Sequence, residues 1–201
     1  MVTAKPGVAT ELLHRIHERF RAEPDAPDLH IVVSGFGEQA DMVRDGRADV
    51  AIAACFDGHD LDTELLATEP RVAALTPAHE LAARDVLTTA DLIDEPAPRW
   101  SPPATDHLLG DPARPVDGPV VRDTAQLLEV VALGQATALV PVSLAARNIR
   151  PDVAYRPVPD AAPYRTLALW PTDSRSPDVS RFVRTAHTCA TDQASNGIHA
   201  S

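Results

Sequence analysis

An unbroken apolar run, Val50 to Ala54, follows directly on a segment in which apolar and charged positions recur at helical spacing. From Glu38 to Asp45, Ala40 and Val43 fall three apart on one face, while Glu38, Asp41, Arg44 and Asp45 occupy the other. Gly46 then offers the left-handed conformation that the position after a helix demands. The run introduced by Asp49 has no polar alternation, which predicts a strand covered on both faces, the habit of parallel sheets flanked by helices. The same rhythm extends upstream. Val2 to Ala4 predicts the end of a strand, Lys5-Pro6-Gly7 a turn, and Ala9, Leu12, Leu13, Ile16 and Phe20 the buried face of a helix that Pro24 and Pro27 terminate. Leu29 to Ser34 predicts a second strand, leading through Gly35-Phe36-Gly37 into the Glu38 helix. Two successive strand-helix-strand units predict right-handed crossovers and a parallel sheet. Asp57, Asp60, Asp62 and Glu64 predict an acidic loop, followed by a strand from Val72 to Leu75 that ends at Thr76-Pro77.

Beyond Pro77 the periodic segments shorten. Helical turns are predicted at His79 to Ala83 and Thr88 to Ile93, the second opened by Thr88 and Asp91 in capping-box spacing. Seven prolines between Pro96 and Pro119 leave room only for a short strand at Ala97 to Ser101. A strand at Val120 to Arg122 enters a helix with Asp123 and Thr124 as cap candidates, Leu127, Leu128, Val131 and Ala132 as its apolar stripe, and Gly134 as its stop. Strands at Ala138 to Val140, Val153 to Arg156 and Thr166 to Trp170 follow, with a short helix begun by Pro141 and Ser143 after the first. Ser176, Pro177 and Asp178 open a last helix with Val179, Phe182, Val183 and Ala186 on one face. These changes of texture predict two α/β lobes: residues 1–76 with 166–190 in the first, 77–165 in the second, and a small, polar, disordered tail at 191–201.

Composition narrows the function. An apolar fraction of 44% supports a folded core, and an aromatic fraction of 4% leaves Val, Leu, Ile and Ala to build it. A net charge of −11, from 18 basic against 29 acidic residues, excludes nucleic acid as a direct partner, because phosphate contacts need Lys and Arg. Cys55 and Cys189 share no metal or redox spacing and read as free thiols of a reducing compartment. The N-terminal residues lack the basic and apolar regions of a secretory signal, and no run reaches the ~20 apolar residues of a membrane span. The expected location is the cytoplasm, with no membrane partner.

Four segments in order carry a resemblance: DGRADVAI from Asp45 to Ile52, PAHELAARDVLTTADLIDEP from Pro77 to Pro96, VALGQATALVPVSLA from Val131 to Ala145, and SPDVSRFV from Ser176 to Val183. Together they resemble the effector-binding, or substrate-binding, domain of LysR-type transcriptional regulators over nearly the whole chain. The resemblance implies an α/β fold of the two-lobed type 2 periplasmic-binding-protein kind. Mixed, mainly parallel sheets, a two-strand hinge and a small-molecule cleft between the lobes belong to that expectation. It also implies a homodimer or tetramer formed by head-to-tail pairing, with the helices near Leu13 to Phe20 and Leu127 to Leu133 as contacts. The winged helix-turn-helix and linker helix of a full regulator are not in the sequence, so DNA is expected to be reached only through such a separate domain.

In open parallel sheets, ligands collect outside the carboxyl ends of strands. The expected contacts are therefore the loops Lys5, Pro6, Gly7 and Val8, then Gly35, Phe36, Gly37 and Glu38, and Asp123 with Thr124. Gly7 and Gly37 stand where the family often has hydroxyl residues, which shifts weight to backbone N–H groups. Lys5 offers a charge for a small acid, or is a solvated lysine. Phe36 and Trp100 supply apolar walls, or fill the core. Thr76 and Pro141 are expected to face the cleft as hinge-turn and opposite-lobe residues, or simply to make turns. Enzymatic chemistry is not expected. His14 and His17 lack a third metal ligand, no calcium loop, nucleophile elbow or phosphate loop occurs, and no metal or cofactor is implied. The alternative function is an unsecreted solute-binding protein of transporter type, which shares the fold.

Overall fold

The structure is a computed structural model that describes residues 1–5, 10–54, 58–101 and 117–198, with side chains described as far as Asp192. The chain divides into two units, Met1–Ala67 with Arg165–Ser201, and Thr68–Tyr164.

Unit 1 is built on β1 (Val2–Ala4), α1 (Thr10–Arg21), β2 (Ile31–Val33), α2 (Gln39–Arg44), β3 (Val50–Ala54), the first part of β4 (Leu61–Glu69), most of β10 (Tyr164–Pro171) and α5 (Pro177–Ile198). Its sheet has the order β2-β1-β3-β10-β4. β1 pairs in parallel with both β2 and β3, while β10 runs antiparallel to β3, with Thr166 opposite Ala54. The apolar run of β3 is covered on both faces, as its lack of alternation predicts. Val50 and Ile52 pack with Leu12, Ile16 and Phe20 of α1 and Val179, Phe182 and Ala186 of α5. Ala51 and Ala53 point the other way, toward Met42 and Val43 of α2. Phe20 and Phe182 meet edge to face at 5.8 Å between ring centroids. Each large side chain so buried contributes about 1.5–3 kcal/mol through the hydrophobic effect. Helices α1 and α2 thus cover opposite faces, so the direction of winding reverses between β1 and β3.

Unit 2 holds β5 (Arg71–Leu75), short 3-10 helices at Glu80–Ala83 and Thr89–Leu92, β6 (Arg99–Trp100), β7 (Val120–Val121), α3 (Thr124–Ala132), β8 (Ala138–Pro141), α4 (Val142–Arg147) and β9 (Ala154–Pro157). β5 is wholly buried in the middle of an antiparallel sheet of order β8-β5-β9. Val72 and Ala74 face Leu127, Val131 and Leu144 on one side. Ala73 and Leu75 face Leu87, Leu92 and Val158 on the other. β6 and β7 form a separate parallel pair. The Thr88 capping box is present, with Asp91 Oδ2 accepting from the Thr88 amide at 2.8 Å and from its hydroxyl at 2.7 Å.

Three expectations differ from the structure. The strand from Val72 to Leu75 belongs to unit 2, because its hydrogen-bonding partners are β8 and β9; the first division falls after Ala67, inside β4, and not at Thr76. Asp62 and Glu64 do not sit in a loop but on β4, whose buried Leu61 and Leu66 lie five apart and so lack a strand's strict alternation. The last helix continues to Ile198, past the tail expected to begin at Thr191; Arg19 of α1 meets Asp192 on it at 2.7 Å.

Candidate functional site

The carboxyl end of β1 continues through Lys5, whose amide donates to the Ile52 carbonyl at 3.2 Å and so links β1 to β3 where the winding reverses. Lys5 is only 8% exposed, and its Nζ lies 3.7 Å from the centroid of the Phe36 ring. An ammonium over a ring face is attracted by the aromatic quadrupole, and the attraction reaches about 2 kcal/mol when both groups are desolvated. Phe36 is itself buried, so it is both a wall and a seat for the cation.

The turn that carries Phe36 is held from below by buried polar side chains. Gln39 Nε2 donates to Ser34 Oγ at 2.8 Å and to the Gly35 carbonyl at 2.6 Å, and Thr3 Oγ1 donates to Ser34 Oγ at 2.8 Å. Glu38 Oε2 accepts from the Gly35 amide at 2.9 Å, so side chains from the start of α2 engage both polar groups of Gly35. A Cβ on Gly35 would lie 2.8 Å from the Glu38 carboxyl group, and Gly37 has φ +80°, where glycine is favoured. Lys5, Gly35, Phe36, Gly37 and Glu38 therefore come together at one end of the unit 1 sheet. Pro6, Gly7 and Val8 lie outside the described residues.

Sequence reasoning missed Thr3, Ser34 and Gln39. The available signal was the spacing of Gln39 with Met42 and Val43, the three buried positions of α2. Ala40, assigned to the buried face, is only partly covered.

In unit 2 the expected residues separate. Trp100 ends β6 and packs partly against the cluster around Val121 and Leu127, which makes it core as much as wall. Asp123 is the N-cap of α3: its Oδ1 accepts from the Gln126 amide at 2.8 Å, and the Gln126 side chain accepts in return from the Arg122 amide. Thr124 begins that helix. Thr76 follows β5, and its carbonyl accepts from His79 N. Pro141 lies opposite Arg71, at the start of β5, so it and Thr76 stand at opposite ends of that strand, about 17 Å apart at ~3.4 Å per residue. The two cannot serve one small-molecule contact within this unit, as antiparallel pairing carries the end of β8 to the beginning of β5.

A second feature of unit 1 is an open groove of about 420 Å³ lined by Val43, Arg44, Asp60, Leu61, Pro171, Thr172 and Asp173. Arg44 bridges Asp60 at 2.6 and 3.0 Å and Asp41 at 2.8 Å. The Arg44 hydrogen bond holds Asp60 below the usual carboxylate range. Among the described residues no three His, Cys, Asp or Glu side chains converge as a metal site. His14 faces Glu18 one turn along α1 at 3.4 Å. Among the described residues, no helix is long and apolar enough to cross a membrane.

A mixed α/β chain that divides into two units, each with its own sheet, has the type 2 periplasmic-binding-protein-like fold. The family model for the LysR substrate binding domain matches residues 1–189, and the chain belongs to that family. Solved structures agree in fold. The effector-binding domain of BenM with its effector benzoate is 20% identical, with a TM-score of 0.72 over 96% of this chain and 93% of that one. The effector-binding domain of QuiR in complex with shikimate is 15% identical, with a TM-score of 0.75 over 95% of this chain and 96% of that one. Full-length CbnR complexed with target DNA is 19% identical, with a TM-score of 0.74 over 96% of this chain and 71% of that one. No curated protein matches the chain. The BenM and QuiR neighbours are effector-binding domains, and CbnR is a LysR family transcriptional regulator.

Proposed function

We propose that this chain is the ligand-sensing part of a LysR-type transcriptional regulator and that it binds a small organic acid at the turns following β1 and β2. The observation that carries the reading is the Lys5 cation seated on Phe36 at the carboxyl end of β1, where the winding of the unit 1 sheet reverses. An acid's carboxylate meets there a buried positive charge, and a charged hydrogen bond is worth about 1.5–3 kcal/mol. The ligands of the BenM and QuiR domains, benzoate and shikimate, are both small carboxylates, which supports the same class here. Ligand binding then acts on DNA through oligomer geometry: α1 and α3 are the helices assigned to contacts with a second copy, and a DNA-binding domain outside this chain carries the operator contact. A ligand shifts such an equilibrium only by its differential affinity for the two states.

Thermal-shift screening at pH 7 with small carboxylates, aromatic acids and amino acids tests the ligand class, with Lys5→Met as the control that removes the charge. Acids are expected to raise Tm in the parent and to do so much less in K5M. If no acid raises Tm, or if K5M responds fully, the reading fails. Light scattering at micromolar concentration tests the assembly, and a monomer under all conditions would remove the oligomer from the proposal.

A further inference from the structure

The buried run of β10 holds one polar side chain, and that side chain extends the site proposed above, on whose small-acid reading this inference rests. From Thr166 to Leu169 every residue is buried, and Leu167, Ala168 and Leu169 are apolar. Ala168 packs with α1 and α5 whereas Leu167 and Leu169 pack with α2, so alternation along the strand turns Thr166 toward the α1 side. Thr166 stands opposite Ala54, the last residue of β3, at the same end of the sheet as the turns after β1 and β2. Ala54 is itself only partly buried, so the sheet opens to solvent at this corner.

A buried hydroxyl is normally hydrogen-bonded, because leaving water without a new partner costs free energy. Thr3, Ser34, Gln39, Arg71 and Thr185 follow that rule, each bonded through its side chain. Thr166 does not: it is 3% exposed, and its Oγ1 meets no donor or acceptor among the described residues. Valine would fill the same space in this apolar run without that cost. The threonine instead leaves an unused hydrogen-bonding group at the carboxyl end of parallel strands, where the ligands of open α/β sheets collect. We propose that Thr166 is a specificity-determining residue whose hydroxyl donates to an oxygen of the bound acid.

Thr166→Val removes the hydroxyl at nearly constant shape, and Thr166→Ser keeps the hydroxyl while removing the methyl group. Calorimetric titration of the full chain at pH 7 compares the parent with both variants, using propionate, lactate, benzoate and shikimate as probes. For an acid that binds the parent, T166V is expected to weaken binding about threefold to tenfold, the range of a single hydrogen bond, and T166S to stay within about twofold. A loss shared by propionate and lactate assigns the contact to the carboxylate, and a loss confined to lactate assigns it to the ligand hydroxyl. Without any acid, T166V is expected to melt at or above the parent's Tm, since it no longer buries an unpartnered hydroxyl. A T166V loss below about twofold, a T166S loss as large as that of T166V, or a T166V Tm more than about 2 °C below the parent's overturns the Thr166 role and leaves the small-acid reading intact. Absence of binding by every acid overturns both.

Discussion

Replacing Gln39 by glutamate exchanges one NH2 for an oxygen at almost constant volume, and so separates hydrogen bonding from packing. Gln39 is 3% exposed and its Nε2 donates to Ser34 Oγ and to the Gly35 carbonyl. The carbonyl has no proton, so the atom 2.6 Å from it must be the donor nitrogen and not the amide oxygen. In Q39E both donations are lost, about 0.5–1.5 kcal/mol each. The Ser34 hydroxyl can turn and donate to the new carboxylate, recovering one. The Gly35 carbonyl cannot, and there two acceptors confront each other. The expected net cost is about 2–3 kcal/mol, or about 4–12 °C in Tm at ~2–4 °C per kcal/mol for a chain of this size. Gln39→Leu also loses both donations, but it adds apolar burial and no charge, so its cost is about 1 kcal/mol. Differential scanning calorimetry at pH 7 should therefore rank the parent above Q39L and Q39L above Q39E. As pH falls toward 5, protonation of the introduced carboxylate restores a donor and the Q39E deficit should narrow. A Q39E protein within about 1 °C of the parent, or one more stable than Q39L, would refute the donor role of this side chain, since the packing is unchanged.

Gly46 has φ +68°, and a Cβ there would meet nothing within 4 Å, so Gly46→Ala isolates backbone strain. It should lower stability by about 1–2 kcal/mol, seen as a lower urea midpoint at unchanged slope, with Gly46→Asn recovering part of the loss. Asp91 is held at about 2 by the Thr88 hydroxyl and amide and then by Arg84, below its ordinary 3.8. Its stabilising effect is therefore complete above pH 4 and disappears as pH falls from 3.8 through about 2. In Asp91→Asn the Tm deficit measured at pH 6 should shrink to near zero by pH 2; a deficit that stays constant with pH would show that the carboxylate charge plays no part.

Much of unit 1 was legible because its signals are local. Val50–Ala54 is apolar without alternation, Gly46 closes a helix, and Pro24 ends another, and each acts through its immediate neighbours. Strand β4 was not legible: it closes one side of the sheet, where half-covered positions admit Asp62 and Glu64. Nor could β5 be assigned to its unit, since a buried apolar run looks the same in either sheet and its partners, β8 and β9, lie more than sixty residues further on. At the candidate site, spacing located the turn from Gly35 to Glu38, but the polar support from Thr3 and Gln39 depends on which strand lies beside which. Pro141 was placed by its neighbours in sequence, whereas its position is set by antiparallel register with Arg71.

The insertion of β10 between β3 and β4 imposes an order on biosynthesis. Residues Thr68–Tyr164 are contiguous and can fold as soon as they leave the ribosome, whereas Ala54 must wait for Thr166, more than a hundred residues later. Until then, β3 offers its unpaired backbone to any passing strand, the hazard that attends every open sheet edge. A nascent chain stalled before residue 165 therefore carries a finished second unit beside an unfinished first one, and chaperone capture or aggregation should concentrate in that interval of translation.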